Sequence, residues 1–196
     1  TFLKASDGND IISPEFFKQS ENKIKKLNRN LSRKKKGSNH YKMAKRDLAK
    51  AHKQIADKRN DFHFKTALNL ASEYAFICIE DLNIKAMQKI WGKKISDLSH
   101  NNFVNILKYQ CSKTGSKVVE IDRFFPSSKT CYDCGYILNE LPLNVRNWVC
   151  PNCGVIHDRD FNAACNIHRV GTSTLGEEIV RPVQQANFDD TRISRL

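Results

Sequence analysis

Apolar residues recur at helical spacing over the first third of the chain: Phe17, Ile24, Leu27 and Leu31, then, after a break at Gly37-Ser38, Tyr41, Ala44, Leu48, Ala51, Ile55 and Phe62. Steps of three, four and seven place such residues on one face of a helix, so the pattern predicts two antiparallel helices over 14–73. Pro14 is expected in the first helical turn, behind Ser13 as N-cap. Tyr74-Ala-Phe-Ile-Cys-Ile79 drops the helical period and is almost wholly apolar, the texture of a strand buried on both faces of a sheet. Lys117-Val-Val-Glu-Ile121 reads as a second strand, and the amphipathic segment Asn102 to Lys113, stopped by Gly115, precedes it. Strand, helix, strand with short connections predicts a parallel α/β pair. At the front, Thr1 to Ser6, a turn at Asp7-Gly8, and Asn9 to Ser13 read as a β-hairpin. Trp91-Gly92, with Lys89, Lys93 and Lys94, is expected in a loop able to touch nucleic acid by stacking and charge. From Gly171 on, Gly, Ser, Thr and Pro break any period, and a disordered tail is expected over 171–196.

Charge changes the picture of the helices. The 196 residues carry a formal net charge of +12, and between Lys18 and Lys65 stand 17 Lys and Arg against four acids. A solvated hairpin needs lysines for solubility but not so one-sided an excess, whereas a phosphate backbone rewards each cation by releasing counterions. Lys25, Lys26, Arg29, Arg33, Lys34, Lys35, Lys36, Lys45 and Arg46, on the outer faces and at the tip, are the candidate nucleic-acid contacts.

Cys131-Tyr-Asp-Cys134 and Cys150-Pro-Asn-Cys153 are separated by 15 residues, and each pair is followed by a glycine. Paired C-x2-C knuckles at this spacing point to zinc. Cys131, Cys134, Cys150 and Cys153 together would complete a closed tetrahedron with no open position, so Zn2+ would be structural. Two disulfides are the alternative, and they need an oxidising compartment. No apolar leader or membrane span is evident, and Cys78, Cys111 and Cys165 form an odd set in apolar or amphipathic surroundings, so a reducing cytoplasm is expected. Trp148 is expected to cover the metal site, and Phe124-Phe125-Pro126 to pack where the chain enters the ribbon.

Two acids are candidates for chemistry. Glu80 closes the first apolar strand, where open α/β sheets place their sites, though strand ends also simply exit to solvent. Asp158-Arg159-Asp160 opens a short helix, Phe161 to Arg169, where an Asp also serves as N-cap.

In order along the chain, Phe76-Ile-Cys-Ile-Glu80-Asp-Leu-Asn83, Ser127-Ser-Lys-Thr-Cys131-Tyr-Asp-Cys134-Gly135 and Asp158-Arg-Asp160-Phe-Asn-Ala-Ala164-Cys-Asn-Ile167 resemble the successive motifs of the TnpB/OrfB proteins of small insertion elements, relatives of type V CRISPR effectors. The stretch Asp61-Phe-His-Phe-Lys65 matches the family's helix as well. The resemblance implies an α/β, RNase H-like (RuvC-type) sheet, interrupted by the basic helical hairpin and a zinc ribbon. It divides the chain into 1–125 (a partial RuvC-like domain with the hairpin at 14–73), 126–156 (the ribbon) and 157–170 (the last motif and its helix). The activity it implies is Mg2+-dependent DNA cleavage directed by a guide RNA, with DNA and that RNA as partners. The family's second acid falls on Glu80 and its third on Asp160, with Asp158 a neighbour.

The family's first acid sits in an apolar strand ahead of the hairpin, and no hydrophobic-Asp-hydrophobic-Gly segment occurs here; Asp7 and Asp10 flank a turn. The sheet is therefore expected to lack its first strand and to have two unpaired edges, with residues 1–196 alone inactive and marginally folded, and a separate N-terminal half a candidate partner. The alternative is a non-catalytic zinc-ribbon module that binds DNA or RNA, or a decayed remnant.

Overall fold

The computed structural model describes residues 1–179 and 194–195. Of the tail anticipated over 171–196, residues 180–193 and 196 lie outside the described residues.

Strands β1 (Leu3–Lys4) and β2 (Asp10–Ile11) form the anticipated hairpin, pairing antiparallel in the register Leu3 with Ile11 and Lys4 with Asp10. Its turn needs Gly8 at φ 89°, a region in which a side chain would be strained. Helices α1 (Phe16–Ser32) and α2 (Asn39–Glu73) follow, and Ser38 caps α2 by accepting the Tyr41 N–H at 3.1 Å. The two helices close on Ile24, Ala51 and Ile55, with Phe16, Phe17, Leu27 and Leu48 packed around them, as the periodicity predicts. The start of α1 differs from the expectation. Its N-cap is Glu15, at φ 50°, and makes no side-chain cap. Instead Asp97, distant in sequence, accepts the Phe17 N–H at 3.1 Å and the Arg59 guanidinium at 2.8 Å. A carboxylate from another helix thus does the work assigned to Ser13 and Pro14, a tertiary substitution that local sequence does not signal.

Strand β3 (Phe76–Glu80) pairs in parallel with β4 (Lys117–Ile121), in register from Phe76 with Lys117 to Glu80 with Ile121. Tyr74 belongs to the end of α2 rather than to the strand. Between the strands run α3 (Ile84–Leu98) and α4 (His100–Thr114), the latter stopped by Gly115 at φ 85°. Trp91-Gly92 therefore lies within a helical segment broken at Gly92 and not in a loop. The other edge of β3 is not open along its whole length: β7 (Ser194–Arg195) pairs in parallel with Ile77 and Cys78. The main core lies between this sheet and helices α2 and α4, with Ala67, Ile77, Phe103 and Leu107 at its most enclosed positions.

Strands β5 (Asn147–Val149) and β6 (Ile156–Asp158) form a small antiparallel ribbon, from which α5 (Arg159–Ile179) emerges. Helix α5 runs ten residues beyond Arg169, straight through Gly171. It packs Ile167 and Val170 onto Cys78 and Ile121 of the sheet, beside Phe125. Phe124, expected to pack with Phe125, is 85% exposed.

Candidate metal centre and carboxylate site

The two cysteine knuckles repeat one local structure. The Cys131 N–H donates to the Tyr136 carbonyl at 2.7 Å and the Gly135 N–H to the Cys131 carbonyl at 2.9 Å; in the second knuckle the Cys150 N–H reaches Val155 at 2.9 Å and the Gly154 N–H reaches Cys150 at 2.9 Å. Gly135 and Gly154 both sit at φ 77°, which explains a glycine after each pair. This duplicated turn brings the four sulfurs within 4.8 Å of one another. Cys131 Sγ is 3.7 Å from Cys153 Sγ, and Cys134 Sγ is 3.6 Å from Cys150 Sγ. Those separations are too long for disulfides. They match a tetrahedron with metal–sulfur bonds of about 2.3 Å, whose sulfurs stand about 3.8 Å apart. The four cysteines can therefore hold a metal ion such as zinc.

Trp148 packs on Cys131 and Cys150 with Leu138, Leu141 and Val145 and covers the centre as anticipated. His157, which the sequence reading passed over, pairs with Trp148 across the ribbon, its ring 4.6 Å from the indole and its Nε2 3.0 Å from Cys131 Sγ. The Cys134 thiol is pulled down to about 6 by the Asn152 side chain and the Tyr136 N–H.

Glu80 ends β3 at its carboxyl end, next to Ile121 of β4. Burial raises its pKa, Asp81 adds to the rise, and a hydrogen bond from Ser127 Oγ to Oε2 at 3.2 Å opposes it. Asp81 itself is held by Arg123. Asp160 lies in the first turn of α5 and takes Arg146 at 3.0 Å. Its neighbour Asp158 supplies the N-cap, accepting the Phe161 N–H at 2.8 Å, and also meets Lys4 at 3.5 Å. The capping role thus falls to Asp158 rather than to Asp160.

Among the described residues, ligand-type side chains converge in threes or more only at the four cysteines and at Cys131, Asp133 and His157. Neither group includes Glu80 or Asp160. What joins their elements is a set of buried amides. Asn162 Nδ2 donates to the carbonyls of Ser127 (3.4 Å) and Thr130 (2.8 Å), and Asn166 Nδ2 donates to the same pair at 2.9 and 2.6 Å. The signal was legible: two asparagines one helical turn apart, among Ala164, Cys165 and Ile167 on a buried face, must find partners there.

The nine candidate nucleic-acid contacts are all exposed on α1, α2 and their turn. Lys25 holds Glu21 at 3.1 Å; among the described residues the other eight have no carboxylate partner.

A family model described as "Probable transposase" (OrfB, IS605) matches residues 1–91, and one described as "Cas12f1-like, TNB domain" matches residues 100–167. The chain belongs to the TnpB/OrfB family. TnpB/OrfB relatives include a "Putative RNA-guided DNA endonuclease" of Streptomyces pristinaespiralis, 40% identical over 95% of this chain and 47% of the relative. "TnpB-like protein L79" of Acanthamoeba polyphaga mimivirus is 32% identical over 76% of this chain and 29% of that protein. "Putative RNA-guided DNA endonuclease InsQ" of Escherichia coli K12 is 28% identical over 92% and 50%. The chain thus spans about half or less of the length of these curated relatives. Among solved structures, one titled "Cryo-EM structure of the Cas12f1-sgRNA-target DNA complex" matches with TM-score 0.53 at 16% identity, over 81% of this chain and 44% of that one, a likeness of fold. No helix among the described residues is long and apolar enough to cross a membrane.

Proposed function

We propose that residues 1–196 form the Glu80- and Asp160-bearing part of a transposon-encoded, RNA-guided DNA endonuclease, acting in a reducing cytoplasm. Its RNase H-like sheet is built on β3 and β4, with the front hairpin a separate two-stranded piece ahead of it, and is interrupted by the basic helices and by a zinc ribbon at 126–156. The observation that carries this reading is the buried polar tie from the carboxyl end of β3, through Ser127, to the helix that Asp160 opens. Such a tie fixes the strand and the helix that carry the two acids, as a shared metal site requires and a solvated strand end does not.

Glu80 and Asp160 are oxygen ligands suited to Mg2+. The bound ion would stabilise the attacking and leaving oxygens of a phosphodiester. Half-buried Glu80 and exposed Asp160 would hold the ion, and Arg146, which pairs with Asp160 here, would have to give up that pairing. Asp7, which takes the Tyr74 hydroxyl at a turn, and Asp10, paired with Lys4, do not supply a third ligand. The exposed cations of α1 and α2 grip nucleic-acid backbones, guide RNA and DNA alike. The cysteine cluster holds one Zn2+ that shapes the segment leading to Ser127 and α5.

The test is Mg2+-dependent cleavage of target DNA by the full-length protein loaded with its element's RNA. Glu80→Gln and Asp160→Asn should each abolish cutting while RNA and DNA binding persist. Unchanged cutting would refute the assignment; binding without cutting in the parent protein as well would favour the non-catalytic module. Elemental analysis under reducing conditions should find one zinc per chain, and finding none sinks the ribbon assignment.

A further inference from the structure

We propose that Ser127 is a positioning residue for Glu80, locked in place by Asn162 and Asn166 of α5. The inference rests on the reading of Glu80 as a divalent-cation ligand and assigns a role to residues outside the two acids. Ser127 is 6% exposed and the two asparagines 2% each, so their polar atoms must be satisfied within the protein. The Ser127 carbonyl accepts both amides, while the Ser127 hydroxyl donates to Glu80 Oε2 at 3.2 Å. Asn162 Oδ1 in turn accepts the Tyr132 N–H at 3.0 Å, inside the first cysteine knuckle. The backbone at Ser127 is therefore held from α5, and its hydroxyl holds one oxygen of Glu80. The other oxygen, Oε1, has no hydrogen-bond partner among the described residues and is left to face a cation.

A purely architectural role would end at the carbonyls. The asparagines tie the loop through backbone oxygens that any residue at 127 would supply, so closing the loop needs no hydroxyl. Glu80 is the hydroxyl's hydrogen-bond partner in the structure, and that contact is the part of the network specific to serine or threonine. An oriented carboxylate binds a cation without first being ordered, which raises affinity.

Two readouts on the full-length protein test this: Mn2+ affinity, and the side-chain amide NMR signals of Asn162 and Asn166 during a Mg2+ titration. In the parent protein the ion should move both amide signals. Ser127→Ala should weaken Mn2+ binding roughly ten-fold, the scale of one charge-assisted hydrogen bond. It should also uncouple the amide signals from the ion at unchanged zinc content, and Ser127→Thr should restore both. If Glu80→Gln weakens Mn2+ binding but Ser127→Ala binds like the parent with the amide signals still moving, the positioning role is wrong. If Glu80→Gln itself leaves Mn2+ affinity unchanged, Glu80 is not a ligand, and both the underlying reading and this inference fall.

Discussion

A Cβ added to Gly171 would lie 2.8 Å from the Cβ of Cys78, and closer still to its sulfur, so α5 rests directly on the central strand two residues before Glu80. Gly171→Ala should gain up to about 1 kcal/mol of helix propensity. It should lose about 1–3 kcal/mol to overpacking against a strand that cannot move aside. Net destabilisation in urea is the expected outcome, partly relieved in the double variant with Cys78→Ala. A Gly171→Ala protein more stable than its parent would show that the close approach is absent in solution.

That glycine also shows where the sequence stops being readable. Gly171 followed by Thr, Ser and Thr looks like the end of a helix, because local propensity does not report the Cys78 side chain waiting on another element. The same blindness applies to Asp97, whose cap on α1 and pairing with Arg59 depend on tertiary placement alone. Features set by local rules were legible. The paired helices followed from period, the β3–β4 pair from apolar runs, and the knuckles from cysteine and glycine spacing. Within the site, Glu80 and Asp160 stood out by motif; Ser127 lies in the second motif, but its contact with Glu80, like that of His157 with Cys131, comes from neighbours contributed by distant segments.

Glu80 should cost the metal-free protein stability as pH rises out of the ordinary carboxylate range. Its folded pKa lies above the ordinary 4.5, first because burial disfavours the charge and then because Asp81 is near. The folded chain therefore holds that proton to higher pH than the unfolded chain. The contribution is present below the ordinary value and is lost as pH rises through the raised one. Glu80→Gln removes the charge, so it should stabilise the protein at pH 7 in chelator, with the advantage fading toward pH 4. An advantage equal at both pH values would mean that desolvation of the carboxylate is not its source.

His63 works in the opposite direction. It is 1% exposed, stacked 5.6 Å from Phe2 and edge-on to Phe103, and burial drives its pKa down from 6.5 to about 4. Unfolding lets it take a proton at ordinary pH, so its contribution is present above 6.5 and is lost as pH falls toward 4. The full loss is on the order of 3 kcal/mol. His63→Leu should flatten unfolding free energy over that interval, as measured by denaturant titration; an unaltered acid slope would place the sensitivity elsewhere.

At the hairpin tip, Arg33, Lys34, Lys35 and Lys36 are exposed, whereas Lys18, Lys25 and Lys53 are engaged by Glu15, Glu21 and Asp57. Cations just past the end of α1 also complement its dipole, which would account for them without any partner. The two explanations differ in their dependence on salt. If the four side chains sit on phosphates, replacing all of them with alanine should reduce the slope of log affinity against log salt concentration by about 3, because each contact releases most of one counterion. Replacing the exposed Lys113 and Lys117, distant in sequence from the tip, should leave that slope alone while changing net charge in the same sense. A tip variant that loses helix stability but keeps its salt slope would assign these charges to the dipole. A tip variant that keeps its stability and loses the slope would place nucleic acid on this end of the hairpin, and would make the spacing from tip to Glu80 the next quantity to vary.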